Sequence, residues 1–254
     1  MSDLLARQID GITALVTGAN RGLGKAFVQA LLDRGAAKVY AAARDPGSVE
    51  VADARIVPLR LDVTNPGDVA AAAHDCADVS LLVNNAGAML QTPFLSAPDL
   101  SAARTEMETN YFGTLAMARV FAPVLAAAGG GALVNVLSVV SWYAPPFNAS
   151  YCASKSAEWA LTNALRVELH GQGTLVVGVH AGFIDTEMAA TVEDSKISPR
   201  EVAAQTLDAV EKGQPEVVTD DWTREVKDSL ATDQDSLYPE LQRRWDAGDT
   251  PWKG

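Results

Sequence analysis

A chain of 254 residues, 48% of them hydrophobic, holds enough apolar material for a substantial core and does not read as a disordered polymer. Its net charge of -12 opposes nucleic acid, anionic membranes and acidic carrier proteins, all of which are bound through Lys and Arg. Its 2 cysteines, Cys76 and Cys152, build no disulfide framework and match no CxxC or Cys/His zinc spacing, so a reducing cytoplasmic setting and no metal are expected.

In chain order, short β-branched or apolar runs alternate with longer helical patterns, the signature of βαβ units on a parallel sheet. Ile12 to Val16 reads as the first strand. Gly22 to Arg34 reads as a helix with Leu23, Phe27, Ala30 and Leu31 on one face and Gly35 placed to close it. Val39 to Ala43 and Ile56 to Leu61 are the next strands, and the short stretch between them leaves little or no room for a helix. A helix follows around Asp68 to Cys76, then a strand at Leu81 to Asn84 and a long helix from Asp99 to Ala127. Ala132 to Leu137 and Leu175 to His180 are strands flanking a helix from Ser150 to His170. Pro199 to Lys212 is helical, and Glu216 to Thr219 gives a short last strand.

The strands are apolar on both sides, as when helices cover both faces of a sheet. The expectation is one α/β domain over 1–254, a doubly wound, Rossmann-type parallel sheet of about seven strands with helices on both faces. The first eleven residues reach the first strand too soon for a secretory signal. The apolar stretch from Thr114 to Val136 is interrupted by Arg119, Pro123 and Gly129 to Gly131, so no membrane span is expected. Residues 220–254 form an acidic, Trp-rich extension that fits a lid, an oligomer contact or a loosely packed end.

Between the first strand and first helix stands TGANRGLG, with Gly18, Gly22 and Gly24. Glycines there permit a sharp turn and let a pyrophosphate approach the backbone, while the helix start offers free N–H groups to it. A glycine triplet alone marks only a turn; its place between strand and helix points to a dinucleotide, with Asn20 and Leu23 in the same segment. At the end of the second strand, where an acid would bind a ribose 2′-hydroxyl, the chain has Ala43 and then Arg44. Arg44 and Arg21 suit a 2′-phosphate, which favours NADP(H), although Asp45 is placed to neutralise Arg44.

Tyr151 and Lys155 lie four residues apart on a helix, hence on one face. A free phenol titrates near about 10. A neighbouring ammonium lowers that value toward the range useful for general acid–base work. Ser138 ends the fifth strand, where ligand sites open in such sheets, and its hydroxyl suits a substrate oxygen; Ser141 is an alternative.

The ordered motifs, from about Gly11 to Val218, resemble the single-domain branch of the short-chain dehydrogenase/reductase family, whose first motif is T-G-x-x-x-G-x-G. The resemblance implies that Ser138, Tyr151 and Lys155 are catalytic, and that Asn110 holds a water for proton relay to the lysine. It implies further that Asp62 and Val63 border the adenine, and that Asn84, Ala86 and Gly87 of the N-N-A-G motif, with Tyr151 and Lys155, bind the cofactor. After the sixth strand the family's Pro-Gly and following threonine become Ala181, Gly182 and Thr186 here, which leaves the loop less rigid than a proline would. The expected activity is reversible, NADPH-linked reduction of a small ketone or aldehyde, with Met89, Phe94, Trp142, Tyr143, Phe147, Phe183 and Met188 around the substrate. His180 is expected to satisfy local hydrogen bonds rather than act as a base. Rival readings are a 3-oxoacyl-carrier-protein reductase, a dehalogenase of the same fold, opposed by Lys155 and the glycine turn, and a non-catalytic NADP-binding sensor. Family members imply a homodimer or homotetramer built through the long helices around Asn110 and Tyr151.

Overall fold

Seven strands, most too apolar to face water on either side, pair in parallel into one sheet of order β3-β2-β1-β4-β5-β6-β7. They are β1 (Thr13–Thr17), β2 (Lys38–Ala43), β3 (Ile56–Arg60), β4 (Leu81–Asn84), β5 (Ala132–Val136), β6 (Leu175–His180) and β7 (Glu216–Val218). The computed structural model describes residues 6–252; residues 1–5 and 253–254, included in the expected domain and its extension, lie outside the described residues.

Alternation along each strand sends neighbouring side chains to opposite faces. Ala14 and Val16 of β1 pack with helices α1 (Gly22–Asp33) and α6 (Pro199–Glu211) through Phe27, Leu31, Val202 and Leu207. Leu15, between them, meets the other layer, α2 (Pro66–Asp75), α4 (Thr114–Ala127) and α5 (Ala149–Glu168), through Val69, Phe121 and Leu165. β3 departs from the two-sided apolar expectation: Val57, Pro58 and Arg60 are exposed, because this is an edge strand. An edge also tolerates Pro58, which has no N–H to give.

The long helix expected from Asp99 is divided. α3 (Ser101–Glu106) runs into a π-helical turn, Met107–Gly113, before α4 begins. Gly113 sits where a Cβ would come 2.8 Å from Val63 Cγ2, so the widened turn lets this segment press against the loop after β3. Such turns concentrate at functional positions, and Asn110 is inside this one.

The extension is packed. α7 (Asp221–Asp228) is capped by the Asp220 carboxylate, which accepts from Thr223 N at 2.9 Å, and α8 (Asp233–Ser236) and α9 (Tyr238–Asp246) follow. Val226, Leu237, Tyr238 and Leu241 pack with Val139, Val140 and Tyr143 just beyond β5. Of the readings the sequence left open for this segment, a cover over the sheet's carboxyl end fits this packing.

Candidate active site

The strand order reverses between β1 and β4, which leaves a crevice at their carboxyl ends. There a cleft of about 1800 Å³ runs from Arg44 at one rim to Trp252 at the other. Gly18, Asn20, Arg21, Gly22, Leu23 and Gly24 line it, as do Arg44, Asp62, Val63, Ala86, Gly87, Gly182 and Thr186. A Cβ on Gly24 would fall 2.1 Å from the Gly18 carbonyl oxygen, so only glycine lets helix and turn approach this closely. The first turn of α1 has no side-chain cap and no acidic residue, leaving its N–H groups open to the cleft. This cradle fits the pyrophosphate of a dinucleotide.

At the adenosine end, Asp45 does not neutralise Arg44. Its Oδ1 accepts from Gly47 N at 2.9 Å and caps the short turn Pro46–Ser48. Arg21 is paired across the cleft with Glu187, both side chains exposed. Burial acts to raise the Asp62 carboxyl, but bonds from Thr64 N and Oγ1 and the charges of Arg44 and Arg60 outweigh it and hold it below the ordinary value.

Four expected site residues lie outside the cleft lining. Asn84, the last residue of β4, is in register with Asn135 on β5 and gives its Nδ2 to that residue's Oδ1 at 2.9 Å; Asn85 faces the cleft instead and ties itself to Thr17 O at 2.8 Å. The Asn110 side chain is fully buried. It clamps Ala88, accepting from its N at 2.8 Å and donating to its O at 2.9 Å, and donates to Ser154 Oγ at 2.8 Å. With both ends so engaged, this side chain positions the loop after β4 rather than reaching the cleft. Phe94 is 57% exposed on the surface before α3. Trp142 stacks on His180, ring centroids 3.8 Å apart, with the Lys227 ammonium over it.

The proton-transfer residues do converge. Ser138 starts the short turn after β5, its Oγ accepting from Val140 N at 3.3 Å, and it lines the same cleft as Tyr151. One helical turn on, Lys155 Nζ lies 5.8 Å from the Tyr151 ring centre and gives hydrogen bonds to Val136 O at 2.8 Å and Glu158 Oε2 at 2.7 Å. Ser141 is turned away, its Oγ accepting from Ser138 N at 3.2 Å. The expected lowering of the phenol is reversed: burial pushes Tyr151 up, and Glu158 adds to that rise against the downward pull of Lys155 and Ser138. For Lys155, burial works downward, but the charges of Glu158 and Tyr151 and the hydrogen bond to Glu158 together outweigh it and keep the amine above its ordinary value.

Beyond Tyr151 the cleft is lined by Met89, Tyr143, Phe147, Phe183 and Met188 from the expected set. The extension adds Trp222, Leu237, Leu241, Arg244 and Trp252 to that wall. Trp222 stacks on Phe183 at 5.5 Å between ring centres, Trp252 meets it edge-on at 6.2 Å, and Trp245 packs on Phe147 at 5.3 Å. A Cβ on Gly182 would come 2.7 Å from Trp222, so glycine there makes room for the indole. Ala181 leaves its φ unfixed, yet its carbonyl accepts from Val139 N at 2.9 Å and Gly182 N donates to Asp220 Oδ2 at 2.9 Å, which secure the loop in place of a proline. The enrichment of tryptophan was the sequence's signal for this wall. Nothing local distinguished Glu158 from a surface acid on a helix.

His180 is fully buried, with Nδ1 3.1 Å from Ser138 O while Nε2 has no hydrogen-bond partner. Among the described residues no cluster of His, Cys, Asp and Glu could hold a metal, and no helix is long and apolar enough to cross a membrane.

A family model described as short chain dehydrogenase matches residues 12–197. A crystal structure of a short chain dehydrogenase from Burkholderia cenocepacia in complex with NADP superposes with a TM-score of 0.89 at 45% identity, covering 92% of this chain and 99% of that one. The NADP-dependent 3-hydroxy acid dehydrogenase of Schizosaccharomyces pombe is 30% identical over 194 residues, 72% of this chain and 75% of its own length. The 3-oxoacyl-(acyl-carrier-protein) reductase of Vibrio cholerae is 30% identical over 195 residues, 74% and 80% of the two chains.

Proposed function

Because the chain belongs to the short chain dehydrogenase family, we propose that it is an NADPH-dependent oxidoreductase that reversibly reduces a small, largely apolar ketone or aldehyde. The observation that carries this reading is the meeting of Ser138, Tyr151 and Lys155 on the same cleft as the glycine turn. NADP(H) is the cofactor: when bound it supplies the hydride for reduction and accepts one for oxidation. The first turn of α1 receives its pyrophosphate, and Arg44 its 2′-phosphate.

The chain's own groups handle the proton. Ser138 Oγ and Tyr151 Oη together hold the carbonyl oxygen, and Tyr151 gives up its proton as negative charge develops there. Lys155 stabilises the phenolate left behind. The aromatic wall made with Trp222 and Trp252 excludes water and accepts an apolar substituent. Homo-oligomers form through α5 and through α4 with the π-helical turn before it in this reading, where Val167 and Phe112 are 78% and 47% exposed.

The test follows NADPH absorbance against a panel of ketones and aldehydes. Tyr151→Phe is expected to retain the fold and NADPH binding while losing about 10²–10⁴-fold in rate. Retained turnover in that variant refutes the role of Tyr151. Kinship to the Vibrio cholerae enzyme supports a second reading, reduction of 3-oxoacyl groups on a carrier protein, so such a substrate belongs in the panel. The net charge of -12 opposes docking of an acidic carrier.

A further inference from the structure

Lys155 is bound from below by a carboxylate. Glu158 is 1% exposed, stands one turn further along α5, and places Oε2 2.7 Å from the Lys155 Nζ. Its other oxygen accepts from Thr114 Oγ1 on α4 at 3.1 Å, and Thr114 is itself 3% exposed. Burying a charge at a helix position where an apolar side chain would pack is costly, so its retention here asks for a task.

Resting on the roles given above to Tyr151 and Lys155, we propose that Glu158 is a positioning residue of the proton-transfer group. It fixes the Lys155 ammonium against the end of β5 and balances its charge, and so sets how readily Tyr151 gives up its proton.

Geometry supplies the first half. An ammonium has three N–H bonds. Val136 O and Glu158 Oε2 take two of them, leaving one for the cleft, where Gly87 is the nearby wall. Electrostatics supplies the second. An unpaired lysine would draw the phenol strongly toward its ionised form, whereas a paired one exerts only the difference between two nearby opposite charges. Burial and the Glu158 charge together leave Tyr151 above the ordinary phenol value. Such a phenol is a competent proton donor for reduction, and a base for oxidation only in alkaline solution. The titratable groups facing Tyr151 are Lys155, Glu158 and Cys152 on α5, with Glu106 at the end of α3 acting on Cys152; beside Glu158, α4 presents the neutral Thr114, and beside Lys155, β5 presents a carbonyl.

The experiment compares the full-length protein with Glu158→Gln and Glu158→Leu, using Tyr151→Phe as reference. Two quantities are read: the pH profiles of reduction and oxidation with a substrate from the panel, and the near-ultraviolet phenolate titration of the free protein after subtracting Tyr151→Phe. Both carboxylate-free variants are expected to move the Tyr151 midpoint about one pH unit toward acid. Oxidation at neutral pH then rises about tenfold, and the alkaline limb of reduction shifts down by the same interval. A midpoint unmoved in folded variants, with only thermal stability changed, makes Glu158 structural and overturns the proposal. Because the titration needs neither substrate nor cofactor, it reports on Glu158 even if no carbonyl in the panel is turned over. Conversely, a Tyr151→Phe rate loss with no Glu158 effect sinks this inference alone.

Discussion

Removing the Arg44 guanidinium should weaken NADPH binding and leave NADH nearly untouched. Arg44 follows the last residue of β2 and lines the adenosine rim of the cleft. The neighbouring Asp45 is committed to the Gly47 amide, and the residue before Arg44 is alanine, so no acid competes there for a 2′-phosphate. A hydrogen bond to a charged group contributes about 1.5–3 kcal/mol. Solvent at this exposed rim brings the effect to the lower end, about a tenfold rise in Kd for NADPH in Arg44→Ala. Arg21, already engaged by Glu187, should give a smaller loss when replaced by alanine. Titrating both cofactors against tryptophan fluorescence measures the contrast, and repeating it at high salt should shrink the NADPH advantage of the native protein. Equal weakening for NADPH and NADH would mean that Arg44 supports the loop and does not hold the phosphate. No change at all would remove it from the site.

The aromatic wall and the buried histidine give two more expectations. Trp222→Ala deletes the ring stacked on Phe183 and edge-on to Tyr143, so KM for an apolar substrate should rise about fivefold with kcat little changed. A kcat loss with constant KM would place Trp222 in the chemistry instead. Burial holds the His180 imidazole at about 4, below its ordinary 6.5. The unfolded chain therefore binds this proton first on acidification, and stability present above pH 6.5 drains away as pH falls toward about 4, by up to about 3 kcal/mol. Denaturant midpoints of the native protein and His180→Gln at pH 7 and pH 5 test this. The variant should lose less on acidification; an identical loss would assign the acid sensitivity to other groups.

What the sequence determined by itself was whatever depends on neighbours along the chain. Strand and helix follow from local periodicity, and the parallel sheet from their alternation. The glycine turn, with its helix start, and the Tyr151–Lys155 face follow from short fixed spacings. Even the edge character of β3 had its local mark in Pro58. Tertiary structure alone decided the rest, because burial and charge pairing depend on residues distant in the chain. It turned Asn84 toward Asn135 and used Asn110 as a clamp on Ala88 and Ser154. It folded an acidic segment whose packing the sequence left open over Phe183 and Tyr143 as the far wall of the cleft. It also set the Tyr151 phenol above its ordinary value: the local lysine pulls downward as its spacing implies, but desolvation by the whole fold and a buried carboxylate held by Thr114 pull harder. Spacing fixes which groups meet, while the dielectric around them is a property of the packed molecule.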